Sequence, residues 1–152
     1  MTNLLTPIEL EAKFDAQMDE HEGCMPYAYQ DSKGYWTIGR GRCIDERITK
    51  RALSKDEIEY LWANDKKNYR LMLSTYPWYM NQDQVRKDVL VELCFNLGLT
   101  GLLGFNNMLK AMLVKDYKSA AAELLDSKWA REDVQSKRVN DVHDRLLLGV
   151  YP

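Results

Sequence analysis

The sequence predicts an α+β fold in which a helix and a small antiparallel sheet precede an all-helical remainder. Three observations carry this reading. Two capping boxes, Thr6-x-x-Glu9 and Ser54-x-x-Glu57, each open a helical pattern. Between them, residues 25–48 hold strand-forming aromatics around a turn-like Ser32-Lys33-Gly34. Beyond Lys55 the apolar residues recur at helical spacing, broken at Pro77, Gly98 and Gly149.

Taken in order, Thr6 caps the first helix, Pro7 suits its first position and Glu9 closes the box. Ile8, Leu10, Phe14 and Met18 form its apolar stripe over residues 1–20, and Gly23 and Pro26 stop it. Tyr27, Tyr29, Tyr35, Trp36, Thr37 and Ile38 favour strands, and a sheet this small must lean on helices. Ser54 opens a long helix carrying Ile58, Leu61, Trp62, Tyr69 and Met72. After Pro77, Asn81 caps a helix through Val85, Val89, Leu90, Leu93, Cys94 and Leu97 that stops at Gly98. Shorter helices are expected over 105–114, 117–125 and 134–148. The chain is read as one domain, 1–152, with a helix and β-lobe at about 1–53, an interlobe helix at about 55–74 and a helical lobe at about 75–152.

Composition excludes several classes. The 152 residues are 45% hydrophobic and 29% charged, as in ordinary globular proteins and unlike disordered or collagen-like chains. Lys and Arg number 21 against 23 Asp and Glu, a net charge of −2. Strong nucleic-acid binding needs clustered positive charge, so no nucleic-acid partner is expected. No run approaches the roughly 20 apolar residues of a transmembrane helix, so no stable membrane insertion is expected. Met1–Leu10 lacks the basic start and long apolar core of a secretory signal, which predicts a cytoplasmic location before any release. Cys24, Cys43 and Cys94 are odd in number and lack Cys-x-x-Cys spacing, against a disulfide framework or zinc site. With only His21 and His143, His-rich metal ligation is excluded, and no metal is expected.

Chemistry concentrates in residues 21–41. Glu22 ends the first helix, Asp31 follows nine residues later and Thr37 six beyond. If Ser32, Lys33 and Gly34 form a three-residue hairpin loop, Asp31 faces Tyr35 and Tyr29 faces Thr37. Residues 29, 31, 35 and 37 then share one face, which makes Tyr29 and Tyr35 candidate substrate-binding residues. Ala28, Gln30, Trp36 and Ile38 take the other, expected to pack. Glycoside hydrolysis needs one protonated carboxyl and one ionised carboxylate. Glu22, near a helix end and aromatic neighbours, suits the first through desolvation; Asp31, at a turn, suits the second; Thr37 suits holding a water. By spacing alone such acidic pairs are mostly solvated surface charges.

The motif is more specific than the spacing. Glu22-Gly23, Tyr29-x-Asp31 and Gly34-Tyr35-x-Thr37-Ile38-Gly39-x-Gly41 closely resemble the T4-type phage lysozymes, the endolysin family of muramidases. Leu53–Ile58 resembles the start of that family's interlobe helix, and Cys94–Gly98 with Gly104-Phe105 its central helix and following turn. Ser127-Lys128-Trp129 and Lys137-Arg138-Val139 are looser matches. The resemblance implies a lysozyme-like fold and cleavage of the β-1,4 bond between N-acetylmuramic acid and N-acetylglucosamine in bacterial peptidoglycan. It implies Glu22 as general acid, Asp31 and Thr37 positioning water, inversion at the anomeric carbon, substrate in the cleft between lobes, and no cofactor. Asn96 is a sugar contact by the resemblance alone. An endolysin is further expected to be a monomer, to wait in the host cytoplasm, and to reach the periplasmic wall through a separate holin.

Two departures from the family pattern stand out. Arg42 occupies the place where the family commonly has His; it still suits pairing with a carboxylate, in a structural role. Gln135 stands near the place of an arginine that reaches toward the catalytic Glu in some members. Other residues keep a plainer reading. Trp62 is assigned to the core, His21 points away from Glu22, and Gly39-x-Gly41 lacks the third glycine of a phosphate loop. Tyr76-Pro77-Trp78-Tyr79-Met80 is left open between a compact apolar turn, an interface and a substrate edge. Cys24 and Cys43 flank the hairpin, but a link between them is disfavoured in a reducing cytoplasm. Competing functions are a non-catalytic wall-binding module on the same fold and a virion-associated lysozyme. Residues 1–31 carry −6 and residues 32–152 carry +4, so the near-neutral total sets an acidic first helix against a mildly basic remainder.

Overall fold

The structure, a computed structural model, describes residues 6–49, 53–133 and 136–151, except for the side chains of Glu22, Asp133 and Ser136. The chain forms two compact units, Met1–Glu57 and Ile58–Pro152. The fold is α+β, with a three-stranded antiparallel sheet in the first unit and helices elsewhere among the described residues.

In the first unit, α1 (Pro7–Glu22) starts at the capping box read from the sequence. Thr6 N–H donates to Glu9 at 2.7 Å, and Glu9 N–H returns to Thr6 Oγ1 at 3.3 Å. Ile8, Leu10 and Phe14 of its apolar stripe are exposed, and Met18 is half-buried. The sheet follows in the order β1 (Met25–Gln30), β2 (Trp36–Gly39), β3 (Arg42–Cys43). The Ser54–Glu57 box then opens α2 (Lys55–Leu73), with Ser54 N–H on Glu57 at 2.7 Å.

The second unit holds the apolar core. It comprises α3 (Pro77–Met80), α4 (Gln84–Leu103), α5 (Asn106–Leu113), α6 (Tyr117–Leu125), a short π-helix (Trp129–Asp133) and α7 (Ser136–Leu148). Leu73, Leu90, Leu93, Leu102, Met108, Met112, Leu124 and Leu146 are almost wholly buried. Removing one such side chain down to Ala typically costs about 2–5 kcal/mol. Gln82 is the buried polar joint of this core: its amide donates to Trp78 O and Met112 O, both at 2.9 Å, and accepts from the Tyr117 hydroxyl at 3.0 Å.

Several expectations need correction. The N-cap of α4 is Asp83, whose side chain accepts Arg86 N–H at 3.0 Å; Asn81 instead ends α3. A Pro77-led turn of helix, Pro77–Met80, precedes that cap. Gly98 does break α4, at φ +70°, ψ 169°, a region essentially closed to other residues, but the chain resumes helix as far as Leu103. The π-helix at Trp129–Asp133 had no signature in the apolar spacing. Trp62 is 40% exposed rather than core, because Leu73 is the one buried residue of α2 among those described. The Tyr76–Met80 cluster is a compact apolar turn: Tyr79 is buried and Tyr76 stacks on Trp78 at 4.7 Å.

Candidate active site

The hairpin is built on the register that a three-residue loop requires. Tyr29 pairs with Thr37 and Gln30 with Trp36. Asp31 N–H donates to Tyr35 O at 2.9 Å, and Gly34 N–H to Asp31 O at 2.9 Å. Asp31 Oδ1 accepts two further backbone donors, Lys33 N–H at 2.8 Å and Tyr35 N–H at 2.9 Å. Among the described residues its Oδ2 accepts no hydrogen bond. Asp31 therefore forms the turn with one oxygen and leaves the other without a hydrogen bond among the described residues. The Thr37 hydroxyl donates to the same Tyr35 carbonyl, at 3.2 Å, so the Tyr35 backbone joins Asp31 and Thr37.

The two faces of this hairpin are covered in the opposite sense to the expectation. Thr37 is only 4% exposed, and Tyr29, Asp31 and Tyr35 are half-buried. Ala28, Gln30 and Trp36, expected to pack, are exposed, and Ile38 is half-buried. The aromatic pattern suggested an apolar core beneath Trp36. Instead a cation helps cover the other face, with the Arg47 guanidinium 5.4 Å from the centre of the Tyr35 ring.

Glu22 is the last residue of α1; its side chain lies outside the described residues. What fixes the helix end is described. Gly23 follows at φ +72°, ψ 167°, a conformation side-chain-bearing residues essentially do not adopt, and its N–H closes on Asp19 O at 3.0 Å. Arg40, in the β2–β3 turn, grips α1 one turn earlier: it reaches Asp19 through Nε and at 3.1 Å through a terminal nitrogen, and Asp15 at 3.1 Å. The Arg40 guanidinium holds the Asp19 carboxyl below its ordinary range. Helix end and hairpin are thereby tied in the same unit.

Arg42 does pair with a carboxylate, forking onto Glu57 at the start of α2, with one arm at 3.2 Å. That pair, followed by the Ser54 backbone donor, lowers the Glu57 carboxyl from 4.5 to about 2. A depressed carboxyl adds stability that is present above the unfolded value and lost as pH falls through the folded one. Comparing Arg42→Met with wild type by thermal unfolding is expected to show a deficit that is full above pH 4.5, shrinks below it, and is gone below about pH 2. A deficit independent of pH would mean that Arg42 acts through packing alone.

In the second unit, Asn96 is exposed on α4 and its side-chain oxygen accepts Trp129 Nε1–H at 2.8 Å. Trp129 helps line a cavity of about 580 Å³ together with Leu97, Phe105, Asn107, Glu123 and Lys128. Asn107 donates to Glu123 at 3.2 Å across its wall. Four residues earlier on α4, Glu92 accepts Arg138 at 3.1 Å and Arg145 from α7. Sequence reasoning did not single out Glu92, although a lone acid amid Val89, Leu90, Val91 and Leu93 was a visible signal. Gln135 lies outside the described residues. Cys24 and Cys43 are free thiols, the first exposed and the second half-buried, and Cys94 is buried.

Residues 19–145 match the family model described as Phage lysozyme. That span includes Glu22, Asp31, Thr37 and Asn96. A protein of Dictyostelium discoideum, "Probable T4-type lysozyme 1", is 26% identical to the chain, covering 81% of it and 88% of the Dictyostelium protein.

Proposed function

This chain belongs to the phage lysozyme family of lysozyme-type peptidoglycan hydrolases, and from that premise we propose that it is an inverting muramidase. Its bond is the β-1,4 link between N-acetylmuramic acid and N-acetylglucosamine. Glu22, protonated, donates to the glycosidic oxygen as the anomeric C–O bond breaks. A water held by Asp31 and Thr37 attacks from the opposite face, gives its proton to Asp31 and leaves a hemiacetal of inverted configuration. General acid–base assistance of this kind is worth about 10²–10⁴-fold.

The observation that carries this reading is the division of labour at Asp31. One carboxylate oxygen takes two turn N–H groups and the other takes none among the described residues. Because Thr37 spends its proton on Tyr35 O, its lone pairs remain to accept from the same water. Tyr29, Tyr35 and Asn96 are the proposed sugar contacts. In the cell we infer an endolysin: a monomer stored in the host cytoplasm that reaches the wall, through a separate holin, to lyse the host.

Mass analysis of products from purified peptidoglycan tests the chemistry. Reducing muramic ends are the expected result. Anhydro ends would mean an intramolecular transglycosylase step and would remove the water from the mechanism. Binding to the wall without any cleavage would mean a non-catalytic module.

A further inference from the structure

Two residues after β3 organise the hairpin without belonging to it. Asp45 is buried, its side chain only 3% exposed, yet it is a carboxylate. It is satisfied from two directions. Trp36 N–H donates to its Oδ2 at 3.1 Å. Arg47 supplies its own backbone N–H at 3.0 Å and a guanidinium fork at 2.7 Å and 2.6 Å. The same guanidinium donates to Gly34 O at 2.9 Å and lies over the Tyr35 ring. This set of donors, the Arg47 side chain first, holds the Asp45 carboxyl far below its usual range.

The contacts converge on residues 34–36. Gly34 is held at its carbonyl, Tyr35 at its ring and Trp36 at its amide. The residue between these anchors, Tyr35, is the one whose backbone N–H meets Asp31 and whose carbonyl meets both Asp31 and Thr37. A shift of the Tyr35 peptide would carry the carboxylate and the hydroxyl with it.

We propose that Asp45 and Arg47 are positioning residues, a clamp that fixes Asp31 and Thr37 through the backbone of residues 34–36. The role rests on the muramidase reading and adds to it the part that sets the water's geometry. Misplacement by about 1 Å in such a site can cost roughly 100-fold in rate. An arginine is needed because only a planar fork serves a carboxylate and a carbonyl together; a lysine supplies a single charged point.

Steady-state reducing-end release, with circular dichroism to confirm folding, tests the clamp on wild type, Arg47→Ala, Arg47→Lys and Asp45→Asn. Arg47→Ala and Asp45→Asn are expected to lower kcat about 10–100-fold, with KM within about twofold of wild type. Arg47→Lys is expected to recover part of kcat. Should Asp45→Asn fail to fold, Arg47→Ala decides, since Arg47 is the exposed partner of the pair. Folded variants with wild-type kcat, or with only KM raised, overturn the clamp while leaving the muramidase intact. A wild type that releases no reducing ends overturns the muramidase reading, and the clamp's role in catalysis with it.

Discussion

Replacing Glu22 with Gln is expected to lower reducing-end release from peptidoglycan by about 10²–10⁴-fold while the far-UV circular dichroism stays that of wild type. Gln keeps the length of the side chain and the helix end, but it has no proton to give the leaving oxygen. The helix end itself does not depend on a carboxyl at this position. It is set by the closure of Gly23 N–H on Asp19 O and by the grip of Arg40 on Asp15 and Asp19. Asp31→Asn is the companion test. Its side-chain oxygen can still accept from Lys33 and Tyr35, so the turn survives while the proton acceptor is lost. Asp31→Ala would remove both, and its rate loss would mix chemistry with a loosened turn. A Glu22→Gln protein that cleaves as fast as wild type would overturn the assignment of the acid.

What the sequence conveyed well was local. The two capping boxes are written in four residues each, and both are satisfied reciprocally in the structure. The hairpin register followed from a loop of three residues and the alternation of strands, which put Asp31 and Thr37 on one face. Which face is covered was not legible. That depended on Arg47, ten residues beyond Thr37, folding its guanidinium back over Tyr35. Buried charge was hidden for the same reason. Asp45 and Arg47 did not stand out in the sequence, because a pattern of apolar spacing carries no information about which long-range donor will satisfy a carboxylate. Trp62 shows the opposite error: an aromatic at helical spacing was assigned to the core, yet it is 40% exposed, edge-on to Phe95 with Lys66 over its ring.

Arg86 is the largest of these hidden charges, and Arg86→Met is expected to destabilise the protein by about 2–4 kcal/mol, chiefly through the acceptors it leaves without a donor. In the sequence it is a basic residue in the first turn of α4, a place where a cation gains nothing from the helix dipole. In the structure it is 8% exposed. Its Nε donates to Leu146 O at 2.7 Å and a terminal nitrogen to Leu147 O at 2.8 Å, while the other pairs with Asp83. These carbonyls belong to the last turn of α7, whose acceptors have no partner within their own helix. Arg86 thus caps the C-terminal turn of α7 from the neighbouring helix α4. Its guanidinium also lies 3.5 Å from the centre of the Tyr117 ring, which ties α4 and α7 to α6. Met matches the volume but leaves two carbonyls without their donor and Asp83 without its partner. Arg86→Lys is expected to fall between, because one ammonium cannot meet all three acceptors in a fixed fork. Urea unfolding provides the measurement: the midpoint should drop with the slope m unchanged, since the surface exposed on unfolding stays the same. An Arg86→Met protein within about 1 kcal/mol of wild type would mean that water replaces the guanidinium at the α7 terminus, and that the helical unit is held by its apolar core alone.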